Sequence, residues 1–284
     1  EDDALETLQT VVSRSTMAAN PKLMLRAFAA IALCYSRMGR AEMSYNLLSD
    51  TLRQAGRHPS FSLSYNYLWI LELAVFYAEH GFPPLPGIDL DPVANAEHTY
   101  DFYKTYDVDI LKTMNNGMYS VEDFGVKVDY SEIEKGGVAK IVDTPVKTPE
   151  DWEKVTSVSV NEGALAREQK YLRLLLDKTQ GEVPVVFTIF SPLTTASKLC
   201  PDMMKHIQEG HGERVKKALT AITETTCALV QRVIEMGADG IFFATQLSSY
   251  AKTEESFYKE YGMPYDLAVL SASSGWCNVL HAHG

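Results

Sequence analysis

The chain has 284 residues, of which 46% are hydrophobic and 22% charged, and its formal net charge is -11. This length holds one large α/β domain or two smaller ones, and the composition is that of an ordinary globular protein. The acidic balance excludes nucleic-acid binding through a basic surface, which needs clustered Lys and Arg, and no apolar run reaches the length of a membrane span.

Residues 1–82 read as helix throughout. Asn20-Pro21 offers a cap followed by proline in the first turn. The Ala- and Leu-rich run from Leu23 to Met38 then stops at Gly39. Further helices are expected from about Ala41 to Gln54 and from about Ser62 to Glu79, ending at Gly56 and Gly81. Ala29, Leu33, Cys34, Tyr35, Gly39 and Ala41 have the placement of a helix-turn-helix repeat, echoed some forty residues later at Ala74, Tyr77 and Gly81. The region therefore resembles a short tetratricopeptide-like array, which implies a protein or peptide partner bound in a groove. A plain helical bundle fits the same residues. The segment 83–91 follows as a linker, with three prolines among Pro83-Pro84-Leu85-Pro86.

From 92 to 284 strands and helices alternate, the pattern of parallel strands joined by crossovers. Helix is expected over Pro92–Tyr106, a buried strand over Val108–Met114, and a hairpin across Tyr130–Lys147 around Gly136-Gly137. Thr148-Pro149-Glu150-Asp151 caps a helix. Glu162 to Lys178 reads as a charged surface helix, Val183 to Phe190 as a buried strand, and Ser191-Pro192 as the opening of a loop and helix. A long helix from His211 to Met236 ends at Gly237-Ala238-Asp239-Gly240, and the strand Ile241–Ala244 follows. That order marks a (β/α) barrel, whose active residues sit at the carboxyl ends of strands. Candidate substrate-binding residues are then Asn115, Asn116, Ser191, Thr245 and Gln246.

The chain closes on Leu280-His281-Ala282-His283-Gly284. On a strand, His281 and His283 point to one side, and imidazole suits Zn²⁺. Two ligands do not make a site, so a strand end with solvated histidines is the competing reading. Cys277 reads as a buried thiol that could serve as a fallback ligand. Glu122 and Asp123 read as capping or hairpin acids, and His206 and His211 as solvated residues at a helix junction. Cys34, Cys200, Cys227 and Cys277 show no CxxC spacing. With no secretory signal in the sequence, the expectation is reduced thiols in a cytoplasmic protein.

Several ordered blocks from about His98 onward resemble the uroporphyrinogen decarboxylase superfamily, in particular its decarboxylase-like and corrinoid-dependent methyltransferase branch. They are Met114-Asn115-Asn116-Gly117, Val121-Glu122-Asp123-Phe124-Gly125, Thr148-Pro149-Glu150-Asp151-Trp152, Phe190-Ser191-Pro192-Leu193-Thr194, Gly237-Ala238-Asp239-Gly240, and the closing Leu280–Gly284. The resemblance implies a (β/α)8 TIM-barrel fold, here incomplete and preceded by an all-α module. In the methyltransferase branch a His-x-Cys-Gly strand end and a later cysteine hold zinc. His281-Ala282-His283-Gly284 stands in that place, so the resemblance implies zinc at His281 and His283, with a third ligand expected beyond Gly284 and weak binding without it. It also implies methyl transfer between a corrinoid, bound to a protein or free, and a thiol acceptor.

The decarboxylase branch implies an aspartate where this chain has Lys112-Thr113-Met114-Asn115-Asn116, and a substrate-binding tyrosine where Lys198 stands. Arg53-Gln54-Ala55-Gly56-Arg57 does match that branch's carboxylate-binding motif, although the same residues also close a helix well. A tetrapyrrole-type carboxylate-binding decarboxylase and a non-catalytic interaction protein are therefore the alternatives. An open edge on a partial barrel leads us to expect a protein partner or self-association.

Overall fold

The computed structural model describes residues 90–131 and 139–282, together with residues 6, 8–10, 27, 28, 30–32, 34, 35, 38, 40, 43 and 47. The chain divides into two compact units, Glu1–Leu85 and Pro86–Gly284. In the first, the described positions between 27 and 35 are helical, and Ile31 and Cys34 are buried with Leu8, Phe28, Tyr35, Met38 and Leu47 packed around them. The expected helix over Ser62–Glu79, the Ala74–Gly81 repeat echo and the Arg53–Arg57 motif lie outside the described residues.

The second unit begins its described structure with helix α1, Pro92–Tyr106, which coincides with the expected span. Asp91 caps it through its carboxylate, which accepts from Val93 N at 2.9 Å, and Pro92 stands at the first helical position. Strand β1 is only Leu111–Lys112, shorter than the expected Val108–Met114. Its backbone ladder ends with Thr113 N donating to the Val186 carbonyl at 3.0 Å, and side-chain bonds carry the pairing on. Thr188 N donates to Thr113 Oγ1 at 2.9 Å, and Thr188 Oγ1 donates to the Thr113 carbonyl at 2.7 Å.

A short helix α2, Tyr119–Glu122, leads to the antiparallel pair β2, Lys127–Asp129, and β3, Lys140–Asp143. The hairpin expectation holds, with its first strand earlier than Tyr130; the Gly136-Gly137 turn lies outside the described residues. Thr148 then opens a 3-10 turn, Pro149–Lys154, in which Asp151 accepts from Thr148 N at 2.9 Å.

Helix α3, Gly163–Thr179, is not the surface helix that its charges implied. Leu165, Leu172 and Leu175 turn one face into the core, and Glu168 and Gln169 are buried with them. The helix begins on a borrowed cap: Asp123 accepts from Ala164 N at 2.9 Å and from Leu165 N at 2.8 Å. A carboxylate there also meets the positive end of the helix dipole.

Strand β4, Val185–Phe190, carries an almost unbroken apolar run, as a strand covered on both faces requires. After it come α4, Pro192–Leu199, the short α5, Met203–His206, and a π-type turn, Ile207–His211. The long α6, Gly212–Glu235, leads to β5, Gly240–Thr245. Helices α7, Glu255–Tyr261, and α8, Met263–Ser271, precede β6, Val279–Ala282. The main sheet runs β1-β4-β5-β6 with every pair parallel. It curls as part of a TIM-type barrel.

Alternation along the strands divides the sheet into two faces. Leu111, Val185, Phe187, Ile189, Ile241 and Phe243 pack on α1, α3 and α6. Burying each such side chain contributes about 1.5–3 kcal/mol. The residues between them face the other way. A second cluster, around Trp152, Leu193, Leu219 and Tyr261, ties α4 and α6 to the 3-10 turn. There Trp152 Nε1 donates to His206 Nδ1 at 3.1 Å. His206 is buried, which corrects the solvated reading of that residue. A buried indole N–H needs an acceptor, and the imidazole supplies it.

The Gly237–Gly240 turn fastens the amino-terminal end of the sheet. Asp239 accepts from Val185 N at 2.8 Å and from Trp276 Nε1 at 2.9 Å, while its carbonyl receives Cys277 N. The strands come so close here that a Cβ on Gly240 would lie 2.0 Å from the Cys277 carbonyl oxygen. Because the obstacle is backbone, it cannot rotate away. Gly240→Ala is expected to cost about 3 kcal/mol, read as a fall in the urea midpoint. An unchanged midpoint would show that the approach is looser than this. Among the described residues, no helix is long and apolar enough to cross a membrane.

Candidate functional site

The polar residues singled out from the sequence fall at the carboxyl ends of the parallel strands. Asn115 and Asn116 follow β1, Ser191 follows β4, Thr245 ends β5 with Gln246 after it, and His281 lies in β6. His283 lies outside the described residues. Loop chemistry explains why the chain turns where it does. Ser191 caps α4, accepting from Thr194 N at 3.1 Å and donating to Thr194 Oγ1 at 2.9 Å, and is fully buried. Asn116 accepts from Met118 N at 2.9 Å and is buried. Asn115 and Gln246 are half-buried.

The loop after β1 is held from several directions. Tyr171 Oη accepts from Met114 N at 2.9 Å, and Asn95 Nδ2 donates to the Met114 carbonyl at 3.2 Å. Asn115 Nδ2 donates to Glu168 Oε2 at 2.7 Å. Glu168 also receives Arg167 Nε at 3.0 Å, and Arg167 forks onto Glu122 at 2.8 and 3.3 Å. Tyr130 Oη completes the network on Glu122 at 2.7 Å. Burial pushes the Glu168 carboxyl upward although Arg167 and Asn115 pull it down. The two acids read from the sequence thus have separate duties, with Asp123 on the α3 cap and Glu122 in this ion network.

Three further groups escaped sequence reading as members of the rim. Lys112 lies in β1, and its Nζ stands 5.1 Å from the centre of the Phe242 ring on β5. Lys198, in the last turn of α4, stands 4.8 Å from the Phe190 ring. Burial lowers both ammonium pKa values. Asp266 of α8 is buried, and burial pushes its carboxyl up to about 7 against the hydrogen bond that Tyr258 Oη donates at 2.8 Å. The Thr245 hydroxyl lies near enough to draw that value down, yet Thr245 Oγ1 and Asp266 Oδ1 complete no aligned hydrogen bond. The sequence signals for the lysines were the place of Lys112 at the end of β1 and that of Lys198 where the resemblance implies a substrate-binding tyrosine, and none marked Asp266.

His281 is exposed, and its ring stacks on Phe242 at 5.3 Å between centres. Among the described residues, no three His, Cys, Asp or Glu side chains converge to hold a metal ion. Cys277 is a buried free thiol, as expected. The described residues alone therefore supply one imidazole donor at the rim, short of a zinc-binding set.

Parallel strands linked by helices, with polar residues gathered at the strands' carboxyl ends, define a TIM-type barrel. The model of the uroporphyrinogen decarboxylase (URO-D) family matches residues 83–282. The chain belongs to that family. It is 27% identical over 127 residues to a methylcobamide:CoM methyltransferase, MtbA, of Methanosarcina acetivorans, a stretch covering 45% of this chain and 38% of that protein. A Methanosarcina mazei protein of the same name is 24% identical over 132 residues, 46% of this chain and 39% of the relative. The matched stretch is thus well under half the length of either curated relative. Among solved structures, a methyltransferase from Methanosarcina mazei superposes with a TM-score of 0.63 at 20% identity, over 71% of this chain and 59% of that one.

Proposed function

We propose that this barrel serves in methyl-group transfer between a corrinoid, free or protein-bound, and a thiol acceptor. The observation that carries the reading is the likeness to two proteins named methylcobamide:CoM methyltransferase. The run Lys112–Asn116 supports it, since it holds no aspartate where the decarboxylase branch is expected to have one. The rim residues divide their work in this reading. Asn116, Ser191 and Thr245 are buried and shape the loops, leaving Asn115 and Gln246 the more accessible side chains for a substrate.

His281 and His283 are the proposed zinc ligands, as a two-imidazole set that binds weakly without a further donor. A zinc ion held there would favour the thiolate form of a bound thiol. The protein's own contribution is the position of His281, stacked on Phe242 at the carboxyl rim.

The test pairs metal analysis with a transfer assay. Purified chain is expected to take up zinc that the His281→Ala/His283→Ala variant does not, and to demethylate methylcobalamin in the presence of a thiol, followed by the visible spectrum. Zinc in neither protein would remove the metal from the proposal. No thiol-dependent demethylation by the native chain would remove the methyl transfer.

A further inference from the structure

We propose that Asp266 is a positioning residue for the rim loop over residues 246–253: its proton keeps that loop seated against α8, and its ionisation frees it. Thr245 shares a face with Ile241 and Phe243, which pack on the helices, so its hydroxyl lies behind the sheet and outside the barrel interior. There it stands beside Tyr258 of α7 and Asp266 of α8, drawing the pKa of each down. Among the described residues, three buried side-chain oxygens have no hydrogen-bond partner: Thr245 Oγ1, Ser248 Oγ and Asp266 Oδ1. Two of them belong to the end of β5 and its loop, and the third belongs to the carboxyl beside that end. Buried polar atoms are seldom left unmatched, and here the unmatched ones gather at one junction.

None of the charged groups on α4, α6 or α7 acts on Asp266, which answers to burial, Tyr258 and Thr245 alone. Lys216 of α6 is held by Glu213 and Glu260, Lys259 of α7 pairs with Glu255, and Lys198 Nζ of α4 donates to the Gly117 carbonyl. Protonated, Oδ1 donates to the Thr245 hydroxyl, and the loop closes over a neutral group. Ionised, the carboxylate is a charge only 3% exposed, with hydroxyl donors and no cation, which is costly. Water relieves it from the loop side, where exposure climbs to 82% at Tyr250. Admitting water moves Thr245 and Ser248, and with them Gln246, whose N–H donates to Thr194 Oγ1 at 3.1 Å. Past that bond the loop is tied to itself, Thr253 Oγ1 donating to the Leu247 carbonyl at 2.7 Å, so it moves as a body. That Gln246 meets a substrate rests on the methyl-transfer reading; the movement of the loop does not.

Hydrogen exchange at the Gln246 amide, read by NMR as a protection factor, tests the loop without any assay of transfer. In the native chain protection should fall about tenfold between roughly pH 6 and pH 8, because a loop that opens returns the carboxyl to its ordinary acidity. Asp266→Asn keeps both hydrogen-bonding roles at every pH, so its protection should stay level. Thr245→Val removes the hydroxyl that draws the Asp266 value down, and should shift the fall to higher pH. A second measurement needs no variant. Trypsin cleavage after Lys252, scaled to the enzyme's rate on a small peptide at each pH, should quicken over the same interval. Level protection in the native chain, an equal fall in Asp266→Asn, or cleavage that does not quicken would each overturn the proposal.

Discussion

An Asp266→Asn variant is expected to gain stability relative to the native chain as pH rises from about 4 to about 8, by about 4 kcal/mol in all. The carboxyl is buried on α8, and its value in the folded chain is about 7 against 3.8 unperturbed. A folded-state value raised this way means that folding takes up a proton between the two values. The stabilising contribution is complete below the unfolded value and is lost as pH climbs through about 7. Ionisation leaves Asp266 Oδ1 charged and without an aligned donor, although Tyr258 still donates to Oδ2. The proton removes that difficulty by making Oδ1 a donor beside the Thr245 hydroxyl. Asparagine does the same at every pH, since its carbonyl accepts from Tyr258 while its amide donates. Urea titrations of both proteins at several pH values measure the difference, and a gap that stays constant with pH would sink the idea.

The second large effect is expected at Arg167. Its guanidinium lies between Glu122 and Glu168, whose side chains are only 21% and 2% exposed. Arg167→Met keeps the stem but leaves two acids facing each other with no cation, an expected cost of about 3–5 kcal/mol. Tyr130 and Asn115 still donate to the acids, so the site should loosen rather than empty. The deficit should shrink at low pH, because burial already favours the protonated form of Glu168. Adding Glu168→Gln should restore part of the loss. A single-variant cost under about 1 kcal/mol, the range of an exposed ion pair, would mean the network is solvated after all.

What could be read from the sequence was whatever the chain decides locally. The expected helix Pro92–Tyr106 matches α1 to the residue, the apolar run of β4 declares a buried strand, and Gly237–Gly240 marks the turn into β5. The family resemblance rests on the same local blocks and agrees with the match over residues 83–282. What stayed hidden depends on partners far along the chain. His206 looked solvated until Trp152 was placed against it, and α3 looked like a surface helix until Glu168 found Asn115 and Arg167. Lys112 and Asp266 lie in ordinary-looking segments. Only the sheet register and the packing of α8 bring them beside Phe242 and Thr245.

The reciprocal bonds between Thr113 and Thr188 join residues 75 positions apart. During synthesis at about 5–20 residues per second, β1 waits roughly 4–15 s for its partner strand to be made. Over that interval the hairpin of β2 and β3 can form from its own neighbours, but the loop carrying Asn115 and Asn116 cannot. The rim of the barrel is therefore assembled late, and mutations at Thr113 or Thr188 should slow the refolding of this unit more than changes in the hairpin do.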